Sequence, residues 1–139
     1  MYFGKDFKRF TSAPITLNAA PLEMVDRYKY LGVTVMTSNG FLCSAEKSRS
    51  AFFRSANSIL RVAGKPSEAV LMKLLYSVCV PNVTYACEVT DFKRKDIEAL
   101  HVAVNDAIRR IFSYNRWESI KDLRESMGYQ SITQIFANQ

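Results

Sequence analysis

The rhythm of apolar and polar positions changes near residue 42. Upstream, Ile15-Thr16-Leu17 is a short β-prone run and Asn18-Ala19-Ala20-Pro21 reads as a turn. Leu22 to Val25 and then Tyr28 to Val35 resume with β-branched and aromatic residues. Period two predicts Tyr28, Tyr30 and Gly32 on one side of the second stretch, with Lys29, Leu31, Val33 and Val35 on the other. The expected element is a β-hairpin over residues 15–35 that stops at Ser38-Asn39-Gly40. Two strands alone are marginal in water, so this hairpin should depend on packing against the rest of the chain.

Everything after Leu42 has helical spacing. Between Ser44 and Ala63, Ala45, Phe52, Phe53, Ala56, Ile59, Leu60 and Ala63 share a face, and Lys47, Arg49, Arg54 and Arg61 fall largely elsewhere. Gly64-Lys65-Pro66 is a stop signal. A second helix carries Val70, Leu71, Leu74, Leu75 and Val78, apolar nearly all round, which predicts a central position; Pro81 should kink or end it. Asp91 can cap a third helix with Ile97, Leu100, Val104, Ile108 and Ile111 on one stripe. Its first turn, Phe92-Lys93-Arg94-Lys95, places cations where the helix dipole disfavours them. Ser119-Ile120-Lys121-Asp122 has the form of a capping box closed later by Gly128, and Trp117 is expected to anchor this segment in the core. Ile132 to Ala137 begins another helix. The fold class expected is α+β, mostly α: an N-terminal β-hairpin followed by a bundle of four to five helices.

Charge adds a direction to this pattern. The 139 residues carry 19 Lys+Arg against 13 Asp+Glu, a net +6, in a chain that is 48% hydrophobic. Residues 1–64 hold nine basic and four acidic side chains, or +5; residues 65–139 hold ten and nine, or +1. A polyanion is the partner such an asymmetry suits. The uncharged stretch between Lys73 and Glu88 is too short and too interrupted by Pro81 and Asn82 for a membrane span, so no membrane partner is expected. The N-terminus lacks an apolar signal region, and Cys43, Cys79 and Cys87 lack disulfide or metal spacing. Both features suit an intracellular chain.

Catalytic chemistry finds no foothold. His101 is the one histidine, and it reads as a surface or half-buried helical side chain. Asp91, Asp96, Glu98 and Asp106 are spaced as solvated helix-face charges. No glycine-rich phosphate loop is present, and Ser48, Ser50 and Ser55 have no base beside them in sequence. Cys79 and Cys87 sit among apolar residues, which raises a thiol pKa. No catalytic residue, metal ligand or cofactor site is assigned.

Residues Leu17-Asn18, Pro21-Leu22-Glu23-Met24-Val25 and Tyr28-Lys29-Tyr30-Leu31-Gly32-Val33-Thr34 resemble the primer-grip segment that follows the palm in reverse transcriptases of non-LTR (LINE-type) retrotransposons. Asn18-Ala19 stands where that family has Asn-Gly. The order continues with Ala51-Phe52, Leu74-Leu75-Tyr76-Ser77-Val78, Val80-Pro81, Thr84-Tyr85-Ala86 and the helix over Ile97–Phe112 leading into Ser113-Tyr114-Asn115-Arg116-Trp117. The similarity covers most of the chain. It implies three parts: residues 1–41 as the end of the palm with its grip hairpin, 42–113 as a helical thumb, and 114–139 as the start of a linker beyond the thumb. Met1-Tyr2-Phe3-Gly4 resembles the strand after the palm's catalytic hairpin.

The resemblance implies a role in RNA-templated DNA synthesis, with an RNA–DNA hybrid or primer–template and the remaining palm and fingers as partners. Its Tyr-x-Asp-Asp motif does not occur in these 139 residues, so Mg is expected only in a complete polymerase and this chain alone is expected to be inactive. Nuclear localisation would follow for a working retrotransposon protein. The primer-grip match places Tyr28, Lys29, Tyr30, Leu31 and Gly32 at the primer: tyrosine faces for sugar or base, Lys29 for phosphate, and Gly32 for close main-chain approach. Strand alternation leaves either tyrosine equally suited to the core. Lys47, Arg49, Arg54 and Arg61, on the most basic helix, are the thumb candidates for backbone contacts. The alternative reading is a transposon-derived remnant that acts only as a helical protein-interaction module.

Overall fold

The computed structural model describes residues 15–39, 42–62, 66–85 and 92–138. The expectations for Met1–Gly4, Gly64-Lys65, Cys87 and Asp91 as residues lie outside these segments. The fold is α+β: two small antiparallel sheets precede the helices. Strands β1 (Thr16–Leu17) and β2 (Ala20–Pro21) pair around a two-residue turn, with Leu17 opposite Ala20. Asn18 and Ala19 in that turn have φ of 50° and 64°, the double left-handed conformation of the tightest hairpins. Asparagine tolerates it, whereas alanine occupies a position glycine would relieve.

Strands β3 (Arg27–Tyr30), β4 (Val33–Met36) and β5 (Leu42–Ser44) form a three-stranded meander. Tyr28 to Val35 is therefore not one strand. Tyr30 pairs directly with Val33, and the chain reverses at Leu31 and Gly32, with φ of 45° and 84°. This reversal changes the faces. Directly opposed residues share a side of a sheet, so Tyr28, Tyr30, Val33, Val35 and Cys43 stand on one face and Lys29 and Thr34 on the other. The tyrosines thus join the valines they were expected to oppose. The third strand corrects a second expectation: Leu42-Cys43-Ser44 pairs with β4 and does not begin the helix. Three residues carry too few positions for periodicity to separate strand from helix.

Helix α1 (Glu46–Val62) follows, and Phe52 and Ala56 on it are buried. The next helix runs from Glu68 to Thr84 as α2 (Glu68–Leu74), a π-helical turn (Leu75–Cys79) and α3 (Val80–Thr84). Pro81 neither ends it nor needs a partner for a missing N–H. The turn before it is widened, with the Val80 amide reaching back to the Leu75 carbonyl. The helix is one-sided, not central all round: Met72, Leu75, Cys79, Val80 and Val83 are buried, while Val70 and Val78 are half exposed.

Helix α4 (Arg94–Phe112) buries Leu100, Val104, Ile108 and Ile111 of the stripe expected of it, together with Ala103 and Ala107, and leaves Ile97 half-buried. Its N-cap position falls to Lys93, whose side chain makes no capping bond. Helix α5 (Lys121–Ser126) starts after Ile120 without the capping box read at Ser119; the Ser119 hydroxyl only accepts the Lys121 amide at 3.4 Å. The box occurs instead at α6 (Ile132–Ala137), where Ser131 and Gln134 bond reciprocally. Gly128 does close α5, at φ 76°: its amide bonds the Glu125 carbonyl and the Tyr129 amide bonds the Arg124 carbonyl. Phe52, Met72, Leu100, Val104, Ile108 and Ile132 lie at the centre of the core that these helices share. Tyr76 stacks on Tyr129 at 4.1 Å and donates to the Gln130 carbonyl at 2.9 Å, fastening the α5–α6 link to the π turn.

Trp117 does not anchor the C-terminal segment. It is 84% exposed at the tip of a turn that Glu118 closes by accepting the Asn115 amide at 2.8 Å. Ile120, three residues on, is the buried one.

Ser113 ends α4 at φ 57°, with the Tyr114 amide returning to the Arg109 carbonyl. A left-handed serine is strained where glycine is not. Ser113→Gly is expected to raise stability by about 0.5–1 kcal/mol, read as an increased urea midpoint with unchanged slope.

Candidate nucleic-acid interface

The three-stranded sheet meets the helices at the Leu31-Gly32 turn. The Tyr85 hydroxyl, at the end of α3, donates to the Leu31 carbonyl at 3.2 Å, and its ring lies beside Gly32. Arg27 and Glu46 add an ion pair at 3.6 Å, too exposed to contribute much. Otherwise β3 is in water along its whole length, with Tyr28 and Tyr30 59% and 64% exposed. Neither tyrosine belongs to the core.

Between this turn, the first three turns of α1 and the end of α3 lies an open cavity of about 620 Å³. Its cations are Lys29 from β3 with Lys47 and Arg54 from α1. Lys29 is distant in the chain from the other two, and none of the three side chains makes an ion pair or hydrogen bond within the described residues. Among the described residues no carboxylate lines the space; its other polar side chains are Ser48, Ser50, Asn82 and Tyr85. Lys47, Arg54 and Arg61 are seven residues apart on α1. That spacing drifts only about 20° per step, so the three form a stripe about 21 Å long that leads out of the cavity.

The nine predicted residues are thus sorted. Lys29, Gly32, Lys47 and Arg54 line one space, and Arg61 continues its α1 edge. Arg49 lies about 200° around α1 from Lys47 and covers the Phe53 ring, its guanidinium 5.7 Å from the ring centre. Tyr28 and Tyr30 stand on the face of β3 opposite Lys29, because alternate strand residues cannot share a side. Leu31 is at the exposed tip. Gly32 serves a different need from the one expected. A Cβ there would meet only the Tyr85 ring, at 3.6 Å, an ordinary contact; the requirement for glycine comes from φ 84°.

Asn82 and Ser55 were not foreseen. The Asn82 amide donates to the Ser55 hydroxyl and to the Val78 carbonyl, each at 3.2 Å. Ser55 also turns back on the Ala51 and Phe52 carbonyls at 3.0 Å. These bonds clamp α3 to α1 at the cavity floor, and only their contacts, not their spacing, mark them. Burial pushes the Cys79 thiol up, against a weaker downward pull from its hydrogen bond with Ser55. Glu98 pairs with Arg94 and Asp106 with Arg109 on α4, as expected of helix-face charges.

Among the described residues, no group of three or more His, Cys, Asp or Glu side chains stands together as a metal site, and no helix is long and apolar enough to cross a membrane. No protein-family model, curated protein or solved structure matches the chain.

Proposed function

We propose that this chain grips a primer–template duplex, as the end-of-palm and thumb segment of a non-LTR retrotransposon-type reverse transcriptase. The polymerase's metal chemistry would belong to its palm aspartates, with the palm and fingers as protein partners and the nucleus as the place of work. The observation that carries this reading is the convergence of Lys29, Lys47 and Arg54 on one cavity without a counter-charge among the described residues. Cations held together without partners repel one another, and a phosphate backbone relieves that repulsion. The stripe through Arg61 suits a rod-like polyanion better than a small anion. A hybrid duplex is read through shape and phosphates, which demands charge and spacing but no base-specific side chains.

Binding to a short RNA–DNA hybrid across a salt series tests the proposal. Three phosphate contacts give a log–log slope of affinity against salt of about −2 to −3. The combined variant Lys29→Gln/Lys47→Gln/Arg54→Gln should flatten that slope towards zero and weaken low-salt binding more than tenfold, whereas Arg49→Gln should change it little. No binding at low salt, or an unchanged slope in the triple variant, overturns the proposal.

A further inference from the structure

A second cavity, of about 400 Å³, lies between α4 and the α5–α6 segment, away from the β-sheet. Its lining includes His101, Arg109, Ser119, Lys121, Arg124 and Ser131. Arg124 is only 6% exposed, on a six-residue helix where a charged side chain would ordinarily reach water. Its Nη1 donates to the Asn105 side-chain oxygen at 3.2 Å, its Nε has no acceptor, and no carboxylate pairs with it among the described residues. Glu125, the acidic residue on the lining, is exposed and forms no ion pair within those residues. Arg109 differs: Asp106 balances it at 2.9 Å. A buried guanidinium without a counter-charge costs several kcal/mol, and proteins ordinarily meet that cost with a carboxylate.

Asn105 carries the pattern to His101. Since the Asn105 oxygen faces Arg124, its amide nitrogen is the atom 2.9 Å from His101 Nε2. That nitrogen donates, so Nε2 accepts and the ring proton sits on Nδ1. Nδ1 is itself buried without a partner. Two residues on one cavity therefore each hold a buried donor that lacks an acceptor. Burial first, and then the charges of Arg124 and Arg109, hold the imidazole below its ordinary pKa, so it is neutral at pH 7.

We propose that this cavity binds a phosphate-type oxyanion, with Arg124 as its principal partner and Lys121 at its exposed mouth. Such an anion supplies the charge that Arg124 lacks, a match that an apolar or cationic ligand cannot offer. The source is a free phosphate or a strand phosphate of a nucleic acid. The site shares no residue with the Lys29 cavity and stands or falls apart from it.

NMR of the whole chain tests this through the Arg124 Nε–Hε resonance. Inorganic phosphate or a short single-stranded DNA is titrated at constant ionic strength, with chloride as the control. Saturable movement with phosphate supports the site and assigns it a free anion; movement with DNA only supports it and assigns a strand phosphate. Bound anion also favours the charged imidazole, so the His101 titration midpoint should rise in the ligand's presence. Lys121→Gln, an exposed change that leaves the fold intact, should raise the half-saturation concentration about twofold to fivefold. No saturable movement with either ligand, or movement equal to that in chloride, overturns the proposal.

Discussion

Phe52→Ala is expected to lower the free energy of unfolding by about 3–5 kcal/mol. The ring is fully buried, meets Phe53 edge-on at 5.7 Å and belongs to the core that α1 shares with the π turn, α3 and α4. Truncation removes the ring's transfer free energy and leaves a cavity in a packed interior that can collapse only partly. Against a typical total of about 5–15 kcal/mol, that is a large share. Urea denaturation followed by far-ultraviolet circular dichroism measures it, and a loss below about 1 kcal/mol would remove Phe52 from the core. Phe52 faces inward while Lys47, Ala51 and Arg54 line the basic cavity. The folded fraction of the variant should therefore keep its affinity for a hybrid duplex.

Gly32→Val is expected to have the opposite profile: about 1–3 kcal/mol of local strain with the helices intact. A β-branched side chain at φ 84° is a backbone outlier whatever space surrounds it. The cost falls on the β3–β4 turn, and β3 has little else to hold it, since all four of its residues are exposed and Tyr85 reaches only the turn carbonyl. Amide hydrogen exchange should quicken across β3 and β4 while α1 and α4 remain protected. Displacing β3 withdraws Lys29 from the cavity, so the hybrid-binding salt slope should shrink by about one contact. Gly32→Asn, which tolerates left-handed backbone, should do much less damage. Equal protection in Gly32→Val and the parent chain would count against the turn's importance.

The helical stripes were legible because each repeats over enough residues for a 3.6-residue period to stand out. Leu100, Val104, Ile108 and Ile111 on α4 are the clearest case. The Leu31-Gly32 reversal was not legible, because leucine is not a residue that marks a left-handed turn position, and the aromatic and β-branched residues on both sides read as one strand. Four of the nine candidate residues share a cavity because the fold closes the β3–β4 turn, with Lys29 and Gly32, onto the Lys47 and Arg54 edge of α1. The same hidden turn inverted the phase of Val33 and Val35 relative to the two tyrosines, while the opposition of both tyrosines to Lys29 holds. Burial of Arg124 left no trace in the local pattern. A charge on a short helix reads as solvated, and the burial appears only when the side chain is seen to reach Asn105 on α4.

The exposed turn at Trp117 has a spectroscopic consequence. It is the single tryptophan of the chain, and in the folded protein its indole is already surrounded by water. Its emission should therefore stay near that of free indole through unfolding, leaving fluorescence almost blind to the collapse of the Phe52 core. The same solvent contact makes the indole responsive to anything that settles on the α4–α5 turn, where Tyr114 and Arg116 border a separate cleft together with Arg110. For this chain, intrinsic fluorescence is a reporter of surface contact and a poor reporter of folding.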